Sequence, residues 1–331
     1  MRAENRTQVS EFILLGFTDR PDLEISLFIL FLLIYLLTLM GNLGIIVLIN
    51  VDPVLQSPMY FFLNNLSFID ICYSSIITPR MLYDFLVKGK TISYPAYAIQ
   101  MLFFTLYATV ECYILAVMAY DRFMAICKSL LYTVAMTKRF CVQLVAVSYL
   151  MALVNALVHT SCTFRLSFCG PNEISSYFCD IPQLLHLSCS NNYTSQMVLY
   201  VFSSFVVVGN GMIVLISYAY IVTTILKMRS STGRHKTFST CASHLAAVVL
   251  YYGTLTFIYV QPGGMDAVEQ DKLVSVFYTI VIPMLNPLIY SLRNKEVKNA
   301  MRKQIGRFFF PLVTTVVCIQ LVMATVLHLE P

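Results

Sequence analysis

The sequence predicts an all-α membrane protein: a bundle of seven transmembrane helices with its N-terminus outside and a short amphipathic cytoplasmic helix after the seventh span. Three observations predict this fold class. Of the 331 residues, 58% are hydrophobic and 12% are charged, whereas a soluble domain carries about 25% charged residues. Seven apolar runs each reach the length of about 20 residues that crosses a bilayer. Most of the basic residues lie in the segments that follow the third, fifth and seventh runs.

The seven apolar runs define the spans in chain order. Runs of this length predict helices, because strands of a membrane barrel alternate over only about 10 residues. The spans cover residues 25–50, 59–79, 98–120, 141–164, 196–226, 239–260 and 273–292. The predicted organisation is an extracellular N-terminus (1–24), a helix bundle (25–292), a basic cytoplasmic tail or helix (293–307) and an atypical hydrophobic C-terminal extension (308–331).

The distribution of lysine and arginine predicts the orientation of the bundle. With the N-terminus outside, the inner segments 51–58, 121–140, 227–238 and 293–307 hold 14 of the 22 basic residues. A net charge of +5 distributed in this way reflects membrane topology, so nucleic acid is not expected as a partner.

The C-terminal extension contains an eighth apolar run, from Phe308 to Leu329, without a charged residue. We favour a tail that lies on the membrane or is poorly ordered over an eighth span, because Thr314, Thr315, Gln320 and His328 weaken the run. Two glycosylation sequons fall on outer segments, at Asn5 and, as the weaker candidate, at Asn192.

Six motifs, in a fixed order and spacing, narrow the fold to one family. They are Gly41-Asn42 in span one, Pro58-Met59-Tyr60-Phe61-Phe62-Leu63 in span two, Met118-Ala119-Tyr120-Asp121-Arg122 in span three, Ser217-Tyr218 in span five, Lys236-Thr237-Phe238-Ser239-Thr240-Cys241 in span six and Pro283-Met284-Leu285-Asn286-Pro287-Leu288-Ile289-Tyr290 in span seven. Over about residues 8–307 the chain resembles the olfactory receptor branch of the rhodopsin-like, class A G-protein-coupled receptors.

The resemblance implies a function. We expect an odorant receptor of the plasma membrane, which binds small, mostly uncharged volatile ligands and activates a stimulatory heterotrimeric G-protein to raise cyclic AMP. No catalytic residues, resident metal or cofactor are expected, with an interior sodium ion as the one candidate exception.

Asp70 and Glu111 are the only acidic residues deep within the spans. Because a charge is costly at the centre of the bilayer, both side chains are predicted to face the bundle interior. Either they are protonated and merely hydrogen-bonded, or they form an interior cation site with Asn42 and Asn286. The resemblance implies that this polar core can hold sodium.

The resemblance also implies a cytoplasmic switch. Arg122 is expected to be the group that meets the G-protein, since a guanidinium stays charged and offers five donors. The predicted switch residues are Asp121, Arg122, Tyr218, Lys236, His244, Asn286, Pro287 and Tyr290.

The ligand pocket is predicted between spans three, five and six. The candidate residues, each of which could alternatively be simple packing, are Met101, Phe104, Thr105, Ala108, Thr109, Phe202, Val206, Tyr252, Leu255, Thr256 and Tyr259. No acidic or basic residue is expected at this level, which favours an uncharged ligand.

The second outer loop contains Cys169, Cys179 and Cys189. The resemblance implies a disulfide from this loop to the outer end of span three, where this chain has Tyr97. A Cys169–Cys189 disulfide within the loop would then leave Cys179 unpaired.

Three alternatives remain open. A non-olfactory class A receptor would need charged residues in the outer pocket, and a transporter or channel would need internal repeats. The missing span-three cysteine is also consistent with a poorly folding or decaying olfactory receptor that is retained in the endoplasmic reticulum.

Overall fold

In the computed structural model the chain is mostly helical. The structure describes residues 11–18, 20–87, 89–168, 172–174, 176–228, 230–259, 274–293 and 296–304. Its helices are α1 (Pro21–Val51), α2 (Pro58–Leu86), α3 (Tyr94–Cys127), α4 (Ser129–Ala135), α5 (Lys138–Thr163), α6 (Ile181–His186), α7 (Tyr193–Lys227), α8 (Ser231–Tyr259), α9 (Ile282–Arg293) and α10 (296–304). A 3₁₀ turn (Pro53–Leu55) joins α1 to α2, and a π-helical turn (Phe277–Val281) runs directly into α9.

Five of the described helices, α1, α2, α3, α5 and α7, are long and apolar enough to cross a membrane. Two shorter apolar helices, His244–Ile258 and Val274–Tyr290, coincide with the predicted sixth and seventh spans. The chain is therefore a multi-pass membrane protein. The count of seven crossings and the outside N-terminus stay predictions. In keeping with the predicted orientation, the end of the bundle next to the N-terminal strand is named the outer end and the opposite end the inner end.

The helices extend beyond the predicted spans. The second span was expected to end near Pro79, but α2 continues through this proline to Leu86. Neighbouring helices in a membrane bundle can satisfy the backbone groups that a proline leaves free, so Pro79 does not end the helix. The hydropathy pattern marks the apolar middle of each helix and misses its polar ends.

The contact between α1 and α9 explains two of the sequence motifs. Because Pro287 has no N–H, the carbonyl of Pro283, four residues earlier, lacks its usual helical donor. Asn42 supplies one, since its Nδ2 donates to Pro283 O at 3.0 Å. Gly41 permits the approach: a Cβ at this position would lie 3.2 Å from the ring of Pro287.

The inner end of the bundle is tied to α10 by two polar contacts. The hydroxyl of Tyr60, near the start of α2, donates to Glu296 Oε2 at 2.6 Å. Lys303 Nζ lies 3.4 Å from Asp52 Oδ2 in the α1–α2 connection. Val297 is fully buried against the bundle. These contacts place α10 along the inner ends of α1 and α2.

A three-stranded sheet at the outer end was not predicted, because strands this short give no periodic pattern. The strand β1 (Glu11–Leu14) lies between β2 (Thr91–Ser93), to which it is antiparallel, and β3 (Glu173–Ile174), to which it is parallel. The sheet thus joins the N-terminal segment to the first and the second outer loop.

Beneath the sheet lies a buried apolar cluster, here named the outer cluster. Its buried members are Phe12, Leu14, Ile92, Tyr97, Met101, Phe168, Ile174, Cys179, Ile181, Leu184, Leu185 and Leu199. Tyr97 is fully buried within it, its ring lies 5.1 Å from that of Phe12, and its hydroxyl donates to Asp180 O at 3.0 Å.

The predicted hydrophobic extension 308–331 and the Asn5 sequon lie outside the described residues.

Replacement of Asn42 by alanine is expected to destabilise the bundle. The variant leaves the Pro283 carbonyl buried without a donor, which costs about 1–3 kcal/mol. Thermal unfolding of the purified protein in detergent measures the effect. Asn50→Ala is the matched control. Asn42 and Asn50 each donate to the carbonyl four residues earlier, Thr38 O and Ile46 O, but Asn50 is exposed and makes no hydrogen bond to α9 in the described structure. Equal melting temperatures for the two variants would contradict the role assigned to Asn42.

Candidate functional site

A cavity of about 60 Å³ lies in the outer half of the bundle. It is enclosed by α3, α5, α7 and α8, with the second outer loop and the start of α6 above it. Its lining residues are Phe104, Thr105, Ala108, Thr109, Cys112, Asn155, His159, Asp180, Ile181, Leu199, Ser203, Val206, Val207 and Leu255. The lining combines apolar walls with a few polar side chains, the composition typical of small-molecule sites.

Six of the predicted pocket residues line this cavity: Phe104, Thr105, Ala108, Thr109, Val206 and Leu255. The structure places Met101 in the outer cluster, one turn above the cavity. Phe202 and Thr256 lie on exposed helix faces, and the hydroxyl of Tyr252 instead donates to Cys112 O at 2.6 Å. The side chain of Tyr259 lies outside the described residues.

Sequence reasoning missed the contribution of α5. Asn155 and His159 are four residues apart, so they occupy one face of this helix. Both are buried and line the cavity. Their spacing on an otherwise apolar helix was a usable signal, but the predicted pocket was restricted to spans three, five and six.

The expectation that no acidic or basic residue lies at the level of the pocket was wrong. Asp180 and His159 both line the cavity. The carboxylate of Asp180 caps α6, since its Oδ1 accepts a hydrogen bond from Ile181 N at 2.7 Å. Asp180 belongs to a loop, and hydropathy does not reveal how a loop folds back over a bundle.

Two aromatic residues of the second outer loop pack onto the bundle next to the cavity. Phe178 packs against Phe104, with ring centroids 5.1 Å apart. The neighbouring Tyr177 is buried, and its hydroxyl lies 3.0 Å from Ser275 Oγ and 2.9 Å from Thr279 Oγ1. The loop therefore contacts both the cavity wall and the π-helical turn that precedes α9.

Three residues of the predicted polar core, Asp70, Glu111 and Asn286, meet below the cavity, whereas Asn42 donates to Pro283 O. Asn286 Nδ2 lies 3.2 and 3.1 Å from the two carboxylate oxygens of Asp70 and 3.5 Å from Glu111 Oε1. Asn42, Asp70, Glu111 and Asn286 are all buried. Two carboxylates that share one amide donor repel each other when both are charged, so a proton or a cation between them would stabilise the core.

The polar core also offers unpaired oxygen atoms. Among the described residues, Asn42 Oδ1, Glu111 Oε2 and Asn286 Oδ1 are buried without a hydrogen-bond partner. Hard cations prefer oxygen ligands, so these residues fit a sodium ion. In the part of the chain that the structure describes, no group of three or more His, Cys, Asp and Glu side chains converges.

Two of the predicted switch residues, Tyr218 and His244, are in contact at the inner end. Tyr218 stacks on His244, and its hydroxyl lies 2.7 Å from His244 Nδ1. Half-buried Arg122 lies within electrostatic reach of Tyr218, His244 and Tyr290. Among the described residues, the buried hydroxyl of Tyr290 has no hydrogen-bond partner.

Two further switch residues have different positions. Asp121 Oδ1 accepts a hydrogen bond from the hydroxyl of Tyr132 on α4 at 2.9 Å, which ties α3 to the short helix that follows it. The side chain of Lys236 lies outside the described residues.

Comparison with known proteins identifies the family. The sequence profile described as olfactory receptor matches residues 31–307. Olfactory receptor 9I1 of Homo sapiens is 56% identical over 304 residues, which cover 92% of this chain and 96% of that protein. Olfactory receptors 5AP2 and 8U3 of Mus musculus are 55% and 52% identical, covering 91% and 93% of this chain and 95% and 96% of theirs.

The chain belongs to the olfactory receptor family. Its relatives are receptors, and no enzymatic family is indicated. The resemblance inferred from the six motifs is confirmed.

This olfactory receptor has an unusual arrangement of cysteines at its outer end. Cys189 is disulfide-bonded, whereas Cys179 is free and fully buried. Cys169 lies outside the described residues, so the predicted Cys169–Cys189 disulfide stays a prediction. Cys179 shares the outer cluster with Tyr97, the residue that stands where the family resemblance implies a cysteine.

In this olfactory receptor the side-chain amide of Asn192, the weaker glycosylation candidate, makes a hydrogen bond within the protein. Asn192 Nδ2, the atom that a glycan would modify, donates to Leu185 O at 2.8 Å. The residue is partly buried at the start of α7.

The Cys179 thiol is expected to be unreactive in the folded receptor. Burial raises its pKa well above the ordinary value, and the thiolate is the reactive form. A membrane-impermeant maleimide should therefore label it only after unfolding. Tyr97→Ala should permit labelling by opening the outer cluster, while Tyr97→Phe, which keeps the ring, should not.

Cys179→Ser, combined with each Tyr97 variant, identifies the signal that belongs to this thiol. Rapid labelling of Cys179 in the native receptor would contradict its burial.

Proposed function

We propose that this olfactory receptor binds small odorants in the cavity and signals from the plasma membrane through a stimulatory heterotrimeric G-protein that raises cyclic AMP. The observation that carries the proposal is the cavity itself, which lies above a buried polar core in a chain of the olfactory receptor family. Odorant and G-protein are the expected partners, with the lipid membrane as solvent.

The proposed topology has seven crossings, an N-terminus outside and α10 in the cytoplasm. The excess of lysine and arginine in the inner segments supports this orientation. With this orientation in the membrane, the three-stranded sheet and the cysteines of the second outer loop would face the oxidising compartment, where a Cys169–Cys189 disulfide can form. It also leaves Asn5 as the better glycosylation candidate, since the amide of Asn192 is already engaged.

The proposed signal starts where α8 is attached to α3. The hydroxyl of Tyr251 donates to Ala108 O at 2.8 Å, and that of Tyr252 donates to Cys112 O at 2.6 Å. Ala108 and Cys112 both line the cavity. A ligand that moves this stretch of α3 would therefore change the position at which α8 is held.

At the inner end, the same displacement of α8 would separate His244 from Tyr218. Tyr218 could then turn toward the unpaired hydroxyl of Tyr290, and Arg122 would become available to the G-protein. A ligand shifts such an equilibrium only by its different affinity for the two arrangements. The cavity thus has to fit the active arrangement better than the resting one.

A second candidate is a class A receptor for a cationic ligand, and Asp180 in the cavity lining is the observation that favours it. One carboxylate oxygen of Asp180 already caps α6. We therefore rank an uncharged odorant first, and an amine that activates the receptor more strongly than neutral compounds would reverse this order.

Replacement of Arg122 by alanine should abolish the odorant-dependent rise in cyclic AMP while surface expression is kept. Loss of the guanidinium removes the charged donor that faces the G-protein. Arg139→Ala is the matched control, because Arg139 lies exposed near the start of α5 on the same side. Surface labelling of an N-terminal tag accompanies both variants and detects retention in the endoplasmic reticulum.

Two results would contradict this assignment. Full signalling by Arg122→Ala would remove Arg122 from the switch. Silence of the unmodified receptor across a broad odorant panel, despite confirmed surface expression, would argue against the proposed function.

Sodium is expected to stabilise the purified receptor. A ligand that binds only the folded state raises the free energy of unfolding according to its concentration relative to Kd. Replacing choline by sodium at constant ionic strength should raise the melting temperature, and Glu111→Gln should remove this response. Glu173→Gln is the control for loss of one acidic residue, since Glu173 is exposed in β3. An unchanged sodium response in both Glu111→Gln and Asp70→Asn would exclude the polar core as the site.

A further inference from the structure

Two polar atoms in the cavity lining lack partners. Asn155 Oδ1 on α5 and Thr105 Oγ1 on α3 are both buried, and within the described part of the chain neither makes a hydrogen bond. Their residues are only 8% and 9% exposed. A buried polar group without a partner costs about 1–3 kcal/mol, so these two atoms favour a ligand that can satisfy them.

The two unpaired atoms belong to one patch of the wall. Asn155 Nδ2 donates to Thr109 Oγ1 at 3.0 Å, which fixes the amide against α3. Thr105 precedes Thr109 by four residues, so both face the same side of the helix about 5–6 Å apart. The amide of Asn155 therefore lies about one helical turn from Thr105, and a ligand atom bound between the two residues would satisfy both unpaired atoms.

The chemistry of the patch distinguishes between ligand classes. In this arrangement the free atom of Asn155 is an oxygen that only accepts, whereas the hydroxyl of Thr105 can donate or accept. A ligand hydroxyl donates to Asn155 Oδ1 and accepts from Thr105. The oxygen of a ketone or an ether only accepts, so it would face Asn155 Oδ1 without a proton between them.

The remaining lining sets the other half of the ligand. Outside the patch the lining includes the polar residues Cys112, His159, Asp180 and Ser203, but most of it is apolar: Phe104, Ala108, Ile181, Leu199, Val206, Val207 and Leu255. The apolar side chains offer contact with carbon and hydrogen atoms only. A carboxylate on the ligand would be repelled by Asp180 in the same cavity. An ammonium could donate to both patch atoms, but its charge would be buried against apolar side chains at a cost, and the carboxylate of Asp180 already caps α6.

We propose that the cavity selects small neutral alcohols, with the hydroxyl bound between Asn155 and Thr105 and the hydrocarbon part against the apolar wall. This inference rests on the proposed function as an odorant receptor. A site built to hydrogen-bond a hydroxyl discriminates strongly against analogues that lack it, because its own polar groups are then left unpaired.

The test compares ligands that differ only in their polar group. Cells that express the full chain with a cyclic AMP reporter receive aliphatic alcohols, methyl ketones, ethers, primary amines and hydrocarbons of equal chain length. The alcohol should be about 10- to 100-fold more potent than the ketone or the ether, as expected for one or two hydrogen bonds.

Variants assign the preference to the patch. Thr105→Val and Asn155→Leu should each reduce the potency ratio of alcohol to ketone toward one. Thr254→Val is the matched control, because Thr254 lies on α8 outside the cavity lining and donates to Leu250 O. Thr105→Val keeps the test valid if Asn155→Leu, which also loses the bond to Thr109, folds poorly.

The outcomes separate the inference from the proposed function. Ketones, ethers or amines as potent as alcohols, or an alcohol preference that survives both variants at normal surface expression, would overturn the inference and leave the receptor function standing. Silence to the matched series while other odorants activate would also overturn it. Silence to every odorant at normal surface expression would contradict the proposed function itself.

Discussion

The missing N–H of Pro287 is the constraint on which the bundle depends. Without this N–H the carbonyl of Pro283 has no hydrogen-bond donor within its own helix. Asn42 of α1 supplies the donor. In lipid no water is available to take this role, so the donor has to come from the protein. Gly41 suits this close approach, because a Cβ there would lie only 3.2 Å from the ring of Pro287.

This arrangement positions the polar core as well. Asn286 directly precedes Pro287, and the contact of α9 with α1 keeps its amide in the bundle interior. There it meets Asp70 of α2 and Glu111 of α3. Helix α9 therefore contacts α1 through Pro283 and the carboxylates of α2 and α3 through Asn286, and a change in its position would alter all of these contacts.

The apolar helices and the buried acidic residues could be predicted from the sequence, whereas the contacts made by the loops could not. All seven apolar runs correspond to helices, because twenty consecutive apolar residues admit few other structures in a membrane. The polar core was predicted for the same reason, since Asp70 and Glu111 had no acceptable place except the interior. Asp180 and the three-stranded sheet were not foreseen, because the path of a loop leaves no trace in hydropathy.

At the outer end, the contacts of Tyr97 with Phe12 and Asp180 take the place of the disulfide that was expected between span three and the second outer loop. Such a bond contributes about 2–4 kcal/mol, while burial of one large apolar side chain contributes about 1.5–3 kcal/mol and a hydrogen bond about 1 kcal/mol. The ring and hydroxyl of Tyr97 together are therefore comparable in energy to the absent bond. They differ in kind, because packing and hydrogen bonds can open and close without redox chemistry. The second outer loop is therefore held to the N-terminal strand and to α3 by backbone pairing, packing and the hydrogen bond of Tyr97.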